Sequence, residues 1–145
     1  MSDATKFDET FNITAVDNSK YDRVSRLSGT STDNSITITL DINHELFPVQ
    51  QGETLNIALA TTLKLDGTKD DEKMGWREVA KGAEQSLADL YDYVCYGKVY
   101  RVTEDNEGAD VKVYLSFGGL LLVLHGPYRK LTTLKVEQMY LLVKR

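Results

Sequence analysis

Ile36-Thr37-Ile38-Thr39-Leu40-Asp41-Ile42-Asn43 is the stretch on which the fold class turns. Apolar and polar residues alternate across all eight positions, the period that sends successive side chains to opposite faces of an extended chain. The pattern predicts a half-buried strand. Less regular alternation recurs in Phe7 to Val16, Tyr21 to Leu27, Leu55 to Leu63, Tyr93 to Val102, Val111 to Phe117, Leu120 to His125 and Met139 to Lys144. About eight strands are therefore expected.

Turn-forming clusters separate them: Asp17-Asn18-Ser19, Ser28 to Asn34, Gln51-Gly52, Glu104 to Gly108 and Gly126-Pro127. There is almost no helix signal and no strand-helix-strand rhythm. Short strands with hairpin-length connections predict an all-β antiparallel barrel or sandwich, and a closed barrel is favoured. At 145 residues the chain suits a single domain over 1–145, large enough to remove roughly 70% of its unfolded surface from water.

One segment breaks the regularity. Residues 64–86 hold Gly67, Gly75 and Gly82, mixed charge and few β-branched residues, and read as a long mobile loop within the barrel. Trp76, the single tryptophan, lies inside it. It either folds back on the barrel or anchors a partner.

Gly118 and Gly119 read as a sharp bend within a strand. The segment after them carries Leu120, Leu122 and Leu124 on one face and Leu121, Val123 and His125 on the other. Only one face of a barrel strand can point inward, so the second apolar set needs cover from elsewhere in the chain or from another protein. Tyr140-Leu141-Leu142-Val143 poses the same problem.

Composition bounds the function. Net charge is −5, which argues against a dedicated nucleic-acid binder, since phosphate contacts need Lys and Arg. The charge is uneven: Asp66 to Asp92 holds eight acidic against four basic residues, whereas Gly126 to Arg145 holds five basic against one acidic. Such asymmetry suits an oriented surface contact. The single cysteine, Cys95, cannot form an internal disulfide, and no signal peptide opens the chain, which favours a reducing compartment. The longest apolar run, Leu120 to Leu124, falls far short of the ~20 residues a membrane-spanning helix needs. A soluble protein without membrane contact is expected.

The usual constellations of catalysis and metal binding are missing from the sequence. His44 and His125 are the only histidines, and His44-Glu45 lacks the second histidine of a helix-borne zinc site. The acidic run Asp66 to Glu72 has its glycine misplaced for a calcium loop. Neither a Gly-rich phosphate loop nor a nucleophile elbow occurs. Asn12-Ile13-Thr14 matches a glycosylation acceptor by chance. The chain is read as non-enzymatic, with no cofactor, metal or small-molecule substrate.

Tyr91, Tyr93, Tyr96, Tyr100 and Tyr114 could instead form a base-stacking platform served by Arg23, Arg26, Lys98 and Arg101. Strand tyrosines are more often ordinary sheet residues. That leaves a free-standing single-strand binder as the alternative, and a homo-oligomeric barrel as a third reading.

Several segments, in order and nearly along the full chain, resemble the eighth, common subunit family of the nuclear RNA polymerases. They are Phe7-Asp8 with Phe11, Asp22 to Leu27, Leu40 to Asn43 followed by Phe47-Pro48-Val49, Tyr93 to Arg101, Ser116 to Leu121, and Tyr140 to Arg145. Two positions depart from the family pattern: Cys95 in place of methionine, and Val123 in place of arginine. The resemblance implies a barrel like the oligonucleotide- and oligosaccharide-binding folds, located in the nucleus and seated against the largest polymerase subunit among the other subunits. Nucleic acid would be met only through the complex, and RNA synthesis would belong to the assembled enzyme. The partner contact is expected to include Tyr93, Tyr96, Phe117, Gly118, Gly119, Leu121, Val123, Tyr128 and Arg129.

Overall fold

The alternating stretch becomes β3 (Thr37–Asn43) in the computed structural model, which describes residues 5–18, 22–63 and 87–145. Ile38, Leu40 and Ile42 are buried on its inner face, as the period-2 pattern requires. The other strands are β1 (Thr5–Asp17), β2 (Val24–Ser31), β4 (Thr54–Ala60), β5 (Tyr93–Asp105), β6 (Asp110–Phe117), β7 (Leu120–Pro127) and β8 (Gln138–Lys144). Each segment read as a strand from the sequence contains one, although Asp22, Arg23 and Thr61 to Leu63 lie outside the strands and Tyr21 lies outside the described residues. They close a barrel in the order β1-β2-β3-β7-β6-β5-β8-β4, with every neighbouring pair antiparallel. Closure leaves no free edge to pair with another chain.

Two Greek keys make up this order. β1, β2 and β3 follow one another as hairpins and β4 returns beside β1; β5, β6 and β7 do the same and β8 returns beside β5. Equivalent strands join the halves, β3 with β7 and β4 with β8. The first strands, β1 and β5, each run 13 residues and serve two neighbours in succession. Each carries a register shift where it changes neighbour, at Ile13/Ala15 and at Val99/Arg101. A bulge adds the bend and twist that such a strand needs to round a barrel.

The interior is filled by inward residues of every strand, among them Phe11, Leu27, Leu40, Leu55, Ile57, Leu115, Leu122, Met139 and Val143. Each fully buried aliphatic or aromatic side chain contributes about 1.5–3 kcal/mol. Outside the barrel wall a small second cluster forms, where Leu63, Tyr91 and Val94 pack against Ala58, Ala60 and Leu142. Leu142 on the outer face of β8 is therefore buried within the chain, as Met139, Leu141 and Val143 are on the inner face, while Tyr140 is half-buried.

Some expectations are corrected. Ser28 to Ser31 belongs to β2, not to a turn, because Ser25, Leu27, Gly29 and Ser31 continue the inward alternation; the turn is confined to Thr32–Asn34. Gly118 and Gly119 are not a mid-strand bend. They form the two-residue turn between β6 and β7, with φ of 65° and 97°, the left-handed pair that a tight hairpin favours. Glu104 and Asp105 complete β5, and the reversal falls on Asn106, Glu107 and Gly108, with φ of 52°, 58° and 91°. Gly126 and Pro127 end β7 before a four-residue helix, α1 (Tyr128–Leu131). The segment 64–86, with Trp76, lies outside the described residues.

Candidate partner interface

Register assembles the outer surface of β5, β6 and β7 row by row. Lys98 pairs with Ser116, and Ser116 with Leu121; Arg101 pairs with Tyr114, and Tyr114 with Val123; Thr103 pairs with Lys112, and Lys112 with His125. All of these side chains point away from the core, since their neighbours Val99, Val111, Val113, Leu115, Leu122 and Leu124 are the buried ones. On the other side of β5, Tyr96 pairs with Tyr140 of β8, their ring centroids 4.6 Å apart. Tyr100 sits at the β5 bulge with its ring 6.2 Å from that of Tyr114. The result is one sheet surface carrying four tyrosines beside Leu121 and Val123.

The described residues cover this surface only in part. Tyr96 is 51% exposed and Tyr100 43% exposed, while Leu121, Val123, Tyr114 and Tyr140 are half-buried. The two-faced apolar problem of the sequence thus has two answers: on β8 the outward Leu142 is covered internally, and the outer face of β7 is covered only in part.

The anticipated contact residues divide by direction. Tyr96, Leu121 and Val123 lie on the outer surface, and Gly118 and Gly119 form its exposed end. Tyr93 and Phe117 face the core. The Tyr93 ring packs 5.5 Å from that of Phe47 and its hydroxyl oxygen accepts the Asn43 N–H at 3.2 Å. Burial accordingly pushes the Tyr93 hydroxyl pKa up, and burial also raises the Cys95 thiol. Tyr128 and Arg129 are exposed on α1, beyond the opposite end of β7 from the glycine turn.

The four cations offered for single-strand binding do not come together. β2 and β5 stand four places apart in an eight-strand ring, so Arg26 and the pair Lys98 and Arg101 lie on opposite sides of the barrel. Arg23, just before β2, is 3.6 Å from Glu45. Arg26 is committed to Asp41, its Nε donating to Oδ1 at 2.7 Å and its Nη2 to Oδ2 at 3.2 Å. Asp41 is itself buried and also accepts the Leu121 N–H at 3.2 Å. The β3–β7 ladder stops at Leu40 and Leu122; beyond it, the carboxylate supplies the missing partner. Removing such a buried acceptor leaves a guanidinium and an amide unsatisfied.

Sequence reading missed one pairing with catalytic connotations. Ser25 Oγ lies 2.9 Å from His44 Nδ1 and donates its proton to Asn18 Oδ1. With that single proton spent, His44 must donate to Oγ, the reverse of base activation. Ser25 is also buried. The contact ties the start of β2 to the turn after β3. Among the described residues, no three His, Cys, Asp or Glu side chains gather as a metal site, and no helix is long and apolar enough to cross a membrane.

A closed antiparallel barrel of two Greek keys, with an aromatic and partly apolar sheet face turned outward, defines an all-β protein whose distinctive chemistry lies on its wall. The chain belongs to the RNA polymerase Rpb8 family, whose model matches residues 8–145. It is 42% identical to the DNA-directed RNA polymerases I, II, and III subunit RPABC3 of Saccharomyces cerevisiae, over 97% of this chain and 98% of the relative. The subunit of the same name in Schizosaccharomyces pombe is 37% identical over the full length of both chains. The DNA-directed RNA polymerases II, IV and V subunit 8B of Arabidopsis thaliana is 35% identical, over 89% of this chain and 86% of its own.

Proposed function

We propose that this chain is a non-catalytic structural subunit of the nuclear DNA-directed RNA polymerases, shared among them, and that it docks on the largest subunit through the outer face of β5, β6 and β7. It acts as one folded unit, a rigid brace, while RNA synthesis belongs to the assembled enzyme in the nucleus. Full-length similarity to subunits named for polymerases I, II and III supports the assembly role. The observation that carries the docking face is the row of outward aromatics, Tyr96 and Tyr100 open to solvent beside half-buried Leu121 and Val123. Tyrosine supplies large contact area at low entropic cost and is enriched where interfaces concentrate their binding energy.

The test is co-purification of the largest subunit with tagged full-length chain carrying Tyr96→Asp and Tyr100→Asp together. Recovery should fall at least about tenfold, since losing hot-spot side chains costs about 2 kcal/mol or more, while the thermal unfolding midpoint stays near that of the unaltered protein. Undiminished recovery would refute the docking face.

A further inference from the structure

Charge on the docking face runs against the charge of the chain. Net charge is −5, yet the outward side chains from Lys98 to Thr103, Lys112 to Ser116, and Leu121 to His125 include Lys98, Arg101 and Lys112 and no carboxylate. The acidic residues of these strands, Glu104, Asp105 and Asp110, collect at the far end, where Asp105 Oδ2 is 3.5 Å from His125 Nε2. Glu137, whose carbonyl accepts the Val99 N–H, keeps its Oε2 buried.

Several cations elsewhere on the barrel are matched, Arg23 with Glu45, Arg26 with Asp41, Lys130 with Glu9 and Asp33, and Arg145 with Glu53, whereas among the described residues Lys6 and Lys144 stand singly on β1 and β8, Lys144 over the Tyr91 ring. Lys98, Arg101 and Lys112 have no ion pair among the described residues. Arg101 is nonetheless held in place, its guanidinium 5.7 Å from the Tyr114 ring centroid. A cation stacked on a ring keeps its N–H edge free for a carboxylate.

We propose that this face recognises an acidic segment of the polymerase partner, with Lys98, Arg101 and Lys112 receiving its carboxylates and Tyr96, Tyr100, Leu121 and Val123 covering its apolar atoms. This deepens the docking reading and rests on it. A nucleic-acid strand fits less well. The tyrosine rings are tilted against each other at 50° and 47°, and Arg101 lies over Tyr114, so the rings do not line up as the row of parallel faces on which successive bases stack. Interfacial charges of this kind set approach and orientation more than total affinity.

The experiment compares tagged full-length chains in co-purification of the largest subunit at low and high salt, with and without nuclease. Lys98→Glu combined with Arg101→Glu should lower recovery at low salt by about tenfold. Lys98→Arg, which keeps the charge and leaves the stacked Arg101 in place, should stay within about twofold, and Lys135→Glu, an exposed reversal off the face, should change nothing. High salt should narrow the gap between unaltered and reversed chains. If Tyr96→Asp with Tyr100→Asp abolishes recovery but the charge reversal leaves it intact, the docking face stands and acid recognition is refuted. If the tyrosine variant also binds fully, the docking reading itself has failed. Loss of recovery on nuclease treatment, with an oligonucleotide shift seen for the unaltered chain alone, would assign the face to nucleic acid and overturn the proposal.

Discussion

A Cβ on Gly97 would lie 1.9 Å from the carbonyl oxygen of Ser116 and 2.8 Å from Cα of Phe117. Both are backbone atoms, so β5 and β6 would have to separate at the place where β5 changes neighbour. Gly97→Ala should therefore cost roughly 1–3 kcal/mol, the range for overpacking a filled site, measured as a lower urea midpoint; an unchanged midpoint would contradict the close approach. Nothing in the sequence singled out Gly97, because the need for a missing side chain comes from a strand about twenty residues away. Individual roles were hard to read for the same reason. Arg26 looked like a free cation until register set it opposite Asp41. Tyr93 and Phe117 looked like interface aromatics until strand parity turned them inward.

The strands were legible because period-2 alternation is a local property that burial on one face imposes directly. Their ends were not. Ser, Gly and Thr in Ser28 to Ser31 carry turn propensity, yet pairing of β2 with both β1 and β3 overrides it. The glycine pair before β7 was recognised as special, but whether it bends a strand or reverses the chain depends on which neighbour each flank pairs with. Since no atom lies within 4 Å of a Cβ at Gly119 and its φ is 97°, the cost of substitution is one of backbone conformation. Gly119→Ala should lose about 1–2 kcal/mol by the left-handed penalty, and Gly119→Asn much less. Chemical denaturation of the two variants checks this; equal loss for Ala and Asn would contradict it.

In the molecule as a whole, a closed barrel followed from the count and pattern of strands, but the strand order with its paired Greek keys and the partner face did not. An exposed sheet surface is identified only once register shows which outward residues are neighbours. Closure is reinforced by polar ties outside the core. Lys130, with the hydroxyls of Ser31 and Ser35, holds the Asp33 carboxyl below its ordinary range. The Gln50 N–H, together with Arg145, does the same for Glu53 despite an opposing effect of burial. Because both groups have lower pKa values folded than unfolded, the unfolded chain takes up protons first on acidification. Their stabilisation should be complete above the ordinary Glu value of 4.5 and decline as pH falls below it. The urea midpoint should drop across that window, and drop less for Glu53→Gln; identical acid sensitivity in that variant would contradict the assignment.

If this protein docks as proposed, the outer face of β5, β6 and β7 is covered in the assembled polymerase. Hydroxyl-radical footprinting of the free chain and of the same chain within purified polymerase reads this directly, with mass spectrometry at Tyr96 and Tyr100. Both tyrosines should react readily in the free protein and be strongly protected in the assembly. Equal reactivity of both in the two states would show that this face is not the docking surface.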